Sequence, residues 1–291
     1  MALRGVLSFA ALLLIFHQSQ KAICITHIKR SSFRYKSNVI YKHSYSYSSR
    51  TTYSNNMAMN GQFPWMAVIH QMKGNYKIHI CGGTVISVRW VLTAGHCIEK
   101  RPRKFLVVFG DVDRSNIGYE TYHGKGIAMI TTSGVIHSDY RKTVNDIALL
   151  YMPRDIPFSA RIQPIKLAGK YDEFNTYVGW TSYVFGWGLD GITNNVQRRL
   201  KFGRIPIISN KECSKKWKVS DSVLCTAAGT GVDACQGDSG GPLIVYKDNQ
   251  YVQIGIVSYG DSDCPSTLPG VFTKISFYHR WIRSVTGIKY Y

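Results

Sequence analysis

From Gln62 onward the chain alternates short apolar runs, rich in β-branched and aromatic residues, with turns of Gly, Asn, Asp and Ser. Phe63–Ile69, Ile78–Val88, Phe105–Phe109, Ile127–Ile136, Ile147–Met152, Tyr177–Phe185, Leu243–Tyr246, Val252–Val257 and Val271–Ile275 are predicted strands. Many short strands at this spacing predict an all-β barrel or sandwich. One helix is predicted near the end. There Phe277, Trp281, Ile282 and Val285 recur three or four positions apart, after Ser276 as a candidate N-cap. No internal repeat is evident.

Before Gln62 the pattern fails. Residues 25–50 show no apolar periodicity, and Ser and Tyr repeat from His43 to Ser49, which reads as a leader that buries no core. Ahead of it, Arg4 precedes the eleven-residue stretch Val6–Phe16, interrupted only by Ser8, and polar residues resume at His17. A bilayer needs about 20 apolar residues, so this stretch is too short to span one and reads as a secretory signal peptide over residues 1–24. Cleavage after Ala22 or after Cys24 fits the pattern. No other stretch approaches membrane length, and no membrane association is expected.

A chain of 291 residues has room for one large or two modest domains. Hydrophobic residues at 45% and charged residues at 18% exclude global disorder, collagen and coiled coil. Lys and Arg number 36 against 17 acids, a net charge of +19. No acid precedes Glu99, and without the eight basic residues up to Arg50 the balance is 28 against 17, or +11. Such a surface allows weak binding to anionic polymers, although no motif makes that a main role. A basic, exposed leader ending at Arg50 is readily cut by a protease that reads basic residues, so residues 25–51 are expected to be a propeptide. The seven cysteines are an odd count for a secreted chain. Cleavage after Cys24 leaves six, enough for three bridges. No Cys-x-x-Cys pair exists, and no zinc site is expected.

Three motifs carry chemistry. Thr93-Ala94-Gly95-His96-Cys97 follows the apolar run Trp90-Val91-Leu92, Asn145-Asp146 opens another apolar run, and Gly237-Asp238-Ser239-Gly240-Gly241-Pro242 surrounds a serine with glycines. A serine hydroxyl needs an adjacent base to act as a nucleophile at neutral pH. Histidine can take the proton, and a buried acid can fix its tautomer. Glycines let backbone N–H groups face a developing oxyanion.

With these residues in the order His, Asp, Ser, the chain resembles the chymotrypsin-like (trypsin family) serine proteases over roughly residues 52–287. The resemblance implies two six-stranded antiparallel β-barrels with a short C-terminal helix, within a protease domain over residues 52–291. It implies His96 as general base, Asp146 as its orienting acid and Ser239 as nucleophile, with the N–H groups of Gly237 and Ser239 as oxyanion hole. Ser258 is implied as a hydrogen-bond donor to Asp146, and Ser258–Gly260 as the segment that pairs with substrate backbone. Bridges Cys81–Cys97, Cys213–Cys225 and Cys235–Cys264 are implied. Asp233 takes the position of the primary-pocket floor, between walls at Gly260 and Gly270, which implies cleavage after Arg or Lys. Ala234 tilts that preference toward Arg.

The function implied is a secreted, monomeric serine endopeptidase acting on proteins or peptides and met by protein protease inhibitors. The rivals are a catalytically silent homologue serving as a binding or cofactor protein, and a basic secreted protein that binds polyanions. Two departures stand out. The family's Ile-Val-Gly-Gly terminus, whose amine pairs with the acid before the nucleophile, is replaced: Asp238 is present, but Arg50 is followed by Thr51-Thr52-Tyr53. Lys166 also stands where many relatives carry a leader-tethering cysteine. Asp111, Asp113 and Glu120 resemble the calcium loop of some relatives with poorly matching spacing, and Pro269 is the residue of members without sodium activation. No cofactor or metal is expected.

Overall fold

The computed structural model describes residues 56–74, 76–189, 195–264 and 266–289. The segments expected to be a signal peptide and a leader, with Cys24 and Arg50, lie outside the described residues.

The first barrel holds β1 (Met66–Lys73), β2 (Tyr76–Val85), β3 (Trp90–Thr93), β4 (Phe105–Phe109), β5 (Ile127–Thr131), β6 (Gly134–Ile136) and β7 (Ala148–Tyr151). Their order is β5-β4-β1-β2-β3-β7-β6, with antiparallel pairing throughout. β5 and β6 sit at opposite ends of that order yet are consecutive in the chain. The run predicted as one strand, Ile127–Ile136, bends between them and closes the barrel. Thr131 Oγ1 donates to the Tyr151 carbonyl at 2.6 Å, and Tyr151 N–H donates to the Ser133 carbonyl at 2.9 Å, which holds the bend.

The second barrel holds β8 (Lys166–Leu167), β9 (Thr181–Gly186), β10 (Lys201–Ile208), β11 (Val223–Thr226), β12 (Pro242–Lys247), β13 (Gln250–Tyr259) and β14 (Val271–Lys274), with one helical turn, α1 (Asn210–Cys213), before β11. Six strands in the order β12-β9-β10-β11-β14-β13 close through a β12–β13 pairing, and the two-residue β8 adds in parallel to β13. The fold is therefore the expected pair of antiparallel barrels, one with a strand split in two and the other with a short strand added.

The closing helix, α2 (His279–Thr286), buries Ile282 and ends at Gly287, whose φ of +71° suits a residue without a side chain. Ser276 is not its N-cap. It lies inside a 3₁₀ turn over Ile275–Tyr278, its hydroxyl makes no cap bond, and Tyr278 occupies the cap position.

Phe105, Phe109, Ile69, Leu92 and Leu106 fill the first barrel, and Val184, Ile205, Leu243, Ile254 and Phe272 the second, each at most 1% exposed. The barrels meet through Phe63, which packs on Phe185 and Phe202 at 4.7 and 4.8 Å between ring centres. A fully buried bond from Thr84 Oγ1 on β2 to Gln253 Oε1 on β13, 2.7 Å, joins them as well. Among the described residues no helix is long and apolar enough to cross a membrane.

Candidate active site

His96 sits on a 3₁₀ turn, Gly95–Cys97, directly after β3. The Cys81–Cys97 disulfide ties that turn to β2. Asp146 lies just ahead of β7 and is 2% exposed. One carboxylate oxygen accepts the His96 backbone N–H at 3.0 Å, and the other lies 2.8 Å from His96 Nδ1. That second oxygen also accepts the Ser258 hydroxyl at 2.6 Å, and Thr273 Oγ1 donates to the Asp146 carbonyl at 2.8 Å. Burial pushes the Asp146 carboxyl up, but the hydrogen bond and charge of His96, with the Ser258 hydroxyl, outweigh it and hold the group below its ordinary value. The first barrel thus supplies acid and imidazole, and the second supplies the hydroxyls that steady the acid.

Ser239 comes from the loop before β12, flanked by Gly237 at φ +98° and Gly240 at φ +77°. Its carbonyl accepts Gly82 N–H from β2 at 2.8 Å. Among the described residues neither the Gly237 N–H nor the Ser239 N–H has a protein acceptor. Ser239, Gly237, His96, Asp146 and Ser258 line one cleft of about 400 Å³. No hydrogen bond joins Ser239 Oγ to His96 Nε2 in this structure, a looseness common in unliganded sites. A hydroxyl, an imidazole held by a buried carboxylate and two unengaged N–H donors can run acyl transfer.

Asp233 is 7% exposed. Its carboxylate accepts Ala234 N–H at 2.8 Å and Ser266 N–H at 3.2 Å. Burial pushes its pKa up to about 6, opposed by those two N–H groups and aided by the nearby Asp261 charge. A Cβ at Gly270 would stand 3.3 Å from Asp233 Oδ1 and 3.0 Å from Thr226 Oγ1, and a Cβ at Gly260 would stand 3.8 Å from Gly270 Cα. Gly270 is therefore the close neighbour of both Asp233 and Gly260, and a side chain there would crowd the Asp233 carboxylate.

Asp238 is fully buried, accepting Gly188 N–H at 2.7 Å and Cys235 N–H at 2.9 Å. A Cβ at Gly186 would overlap its carboxylate, so that close approach needs glycine. The other two disulfides join Cys213 to Cys225 and Cys235 to Cys264. The three acids likened to a calcium loop are engaged within the protein: Glu120 with Lys104, Asp111 with Tyr122 and the N–H groups of Asp113 and Lys125, Asp113 with the Ser115 N–H. Cys81, His96 and Cys97 are a close set of metal-type donors, but both sulfurs are spent in the disulfide.

Several residues at the site escaped sequence reasoning. Tyr140 covers Gly95 and donates to Glu99 at 3.1 Å. Ser266 supports Asp233 and links it to Asp261 through a 3.1 Å bond from its hydroxyl. Thr226, beside Gly270, has a buried hydroxyl with no partner among the described residues. The bridge at Cys264 was a signal for Asp261 and Ser266, since it brings their loop back to Cys235. Tyr140 had no such signal.

Paired β-barrels that carry serine, histidine and aspartate into one cleft define the chymotrypsin-like class of serine proteases. Residues 53–282 match the family model described as Trypsin, and the chain belongs to the trypsin family. It is similar to serine protease filzig of Drosophila melanogaster, at 30% identity over 246 residues, 79% of this chain and 14% of that protein. This chain thus spans a small part of that relative's length. Among solved structures it is similar to HL collagenase, at 28% identity and a TM-score of 0.71, covering 81% of this chain and 98% of that one.

Proposed function

We propose that the chain is a secreted serine endopeptidase that cleaves after Arg or Lys. The observation that carries the chemistry is the buried Asp146 carboxylate gripping His96 in the cleft that Ser239 lines. Ser239 Oγ attacks the scissile carbonyl carbon while His96 Nε2 takes its proton. The oxyanion is received by the Gly237 and Ser239 N–H groups. His96 then returns the proton to the departing amine, leaving an acyl ester on Ser239. Water, giving its proton to His96, attacks that ester; the bond to Ser239 Oγ breaks, His96 returns the proton to Oγ, and the acid product leaves. Asp146 stays ionised and supports the imidazolium.

Specificity for Arg and Lys is supported by a buried carboxylate beside Gly270. Ser258–Gly260, running off the C-terminal end of β13 from buried Ser258 to exposed Gly260, is the segment proposed to pair with substrate backbone. Secretion is supported by the three disulfides and the apolar N-terminal segment. Cleavage after Arg50 is the proposed activation, with the new terminus reaching the buried Asp238. Protein inhibitors and weak polyanion binding belong to the same reading.

The test is hydrolysis of matched Arg, Lys and Phe substrates by the secreted protein, beside Ser239→Ala and Arg50→Gln. Arg cleavage that disappears in both variants is expected. Absence of hydrolysis from chain cut after Arg50 overturns the reading in favour of a silent homologue.

A further inference from the structure

The loop after the histidine turn is densely basic: Lys100-Arg101-Pro102-Arg103-Lys104 follows Glu99. It is also fixed in place. Gln71, a 2% exposed side chain on β1, donates through Nε2 to the carbonyls of Lys100 and Pro102 at 2.8 and 3.1 Å. Met72 N–H donates to the Lys104 carbonyl at 2.9 Å. Three bonds to one strand hold the loop's charges at set positions. Lys104 is spent on Glu120, and among the described residues no carboxylate lies in ion-pair range of Lys100, Arg101 or Arg103.

Of these cations, Lys100 lines the cleft, together with His79, Ile80, His96 and Ser239. Glu99 reaches the same cleft, but its carboxylate accepts the Tyr140 hydroxyl. Desolvation, then the Lys100 ammonium and His96, holds the His79 imidazole below its ordinary value, and Lys142 is the other lysine in the lining beside Lys100. Asp233 and Gly270 do not line this cleft, which runs from Ser239 over the Cys81–Cys97 bridge. On the function proposed above, Asp233 takes the side chain before the scissile bond and Ser258–Gly260 takes the residues ahead of it. The residues that follow must then cross the bridge toward β2 and Lys100.

We propose that Lys100 selects substrates with an acidic side chain shortly after the scissile bond. The preferred sequence is then dipolar, a cation for Asp233 followed by an anion for Lys100. The inference rests on the endopeptidase reading, and its test is built on ratios that do not depend on Asp233.

Internally quenched peptides share one sequence up to a cleaved Arg and carry Glu, Ala or Lys at the first or second position after it. At low salt the Glu peptide is expected to exceed the Lys peptide about tenfold in kcat/KM, because attraction becomes repulsion at a partly solvated site. The ratio should fall toward unity at high salt. Lys100→Glu should invert the order, and Lys100→Met should flatten it. Arg101→Glu makes the same charge change in an exposed residue that does not line the cleft, and should move the ratio much less. Equal Glu and Lys rates in the wild type, an unchanged ratio in Lys100→Glu, or an equal effect of Arg101→Glu would each overturn the assignment. Should another residue replace Arg as the accepted one before the bond, the series is rebuilt on that residue and the ratio keeps its meaning. If nothing is hydrolysed, fluorescence anisotropy of the same peptides on Ser239→Ala protein reads the ratio as affinity. Equal binding of Glu and Lys peptides overturns it there.

Discussion

Asp233 has an ionisation that depends on what lies beside it. Its pKa is raised from 3.8 to about 6 by burial, so the folded chain binds a proton more tightly there than the unfolded chain does. Ionisation therefore opposes folding: stability falls as pH rises between those values, and the cost is fully present above about 6. A substrate guanidinium beside the carboxylate removes that cost. The ratio of kcat/KM for Arg over Phe substrates is expected to fall as pH drops through about 6, measured on matched peptides. Asp233→Asn should lose that pH dependence. Asp233→Ser should lower the Arg/Phe ratio at neutral pH by about 30- to several thousand-fold, the equivalent of roughly 2–5 kcal/mol. A ratio that does not move would return Asp233 to an ordinary loop acid. At Ser239, the proposed nucleophile, replacement by Ala should cost about 10⁶-fold in kcat and abolish labelling by serine-directed phosphonates, with the fold intact by circular dichroism.

The elements show where pattern reading succeeds and where it stops. Most strands of the first barrel carry apolar runs and were legible from them, but β3 is only four residues long and was not among the predicted strands, and β5 and β6 read as one. β10 was not legible, because Gly203, Arg204 and Pro206 interrupt a run whose buried positions, Gly203, Ile205 and Ile207, do alternate. β11 is four residues, all buried, and too short to show a period. The residues proposed to react could be picked out because each sits in a short local motif. Tyr140, Ser266 and Asp261 belong to the site only through loop closure, which no spacing records. Ser276 is the instructive miss, since a serine three residues before a helix resembles a cap in sequence but is buried with its hydroxyl unpartnered. Ser276→Ala is accordingly expected to change stability by less than about 0.5 kcal/mol in urea unfolding, where loss of a true cap costs about 1. Ile282→Ala, at the one fully buried position of α2, should cost about 2–5 kcal/mol in the same experiment.

For the whole molecule, the bonds that shape the site are also bonds between barrels. Asp146 from one is held by Ser258 and Thr273 from the other, Gly82 N–H meets the Ser239 carbonyl, and Thr84 meets Gln253 in full burial. Breaking them strands buried polar groups on both sides, so the barrels are expected to unfold together. Scanning calorimetry should give one transition whose calorimetric and van't Hoff enthalpies agree. Two separable transitions would mean that each barrel stands by itself. Just inside the second barrel, between β8 and β9, lies an exposed loop in which Phe174 is 91% accessible. A cut there leaves His96 and Asp146 on one fragment and Ser239 with Asp233 on the other. Neither fragment holds a complete reaction centre, so hydrolysis after mixing would count only reunited pairs. The division of labour between the barrels makes this scaffold a natural two-part sensor, silent until whatever is fused to its halves brings them together.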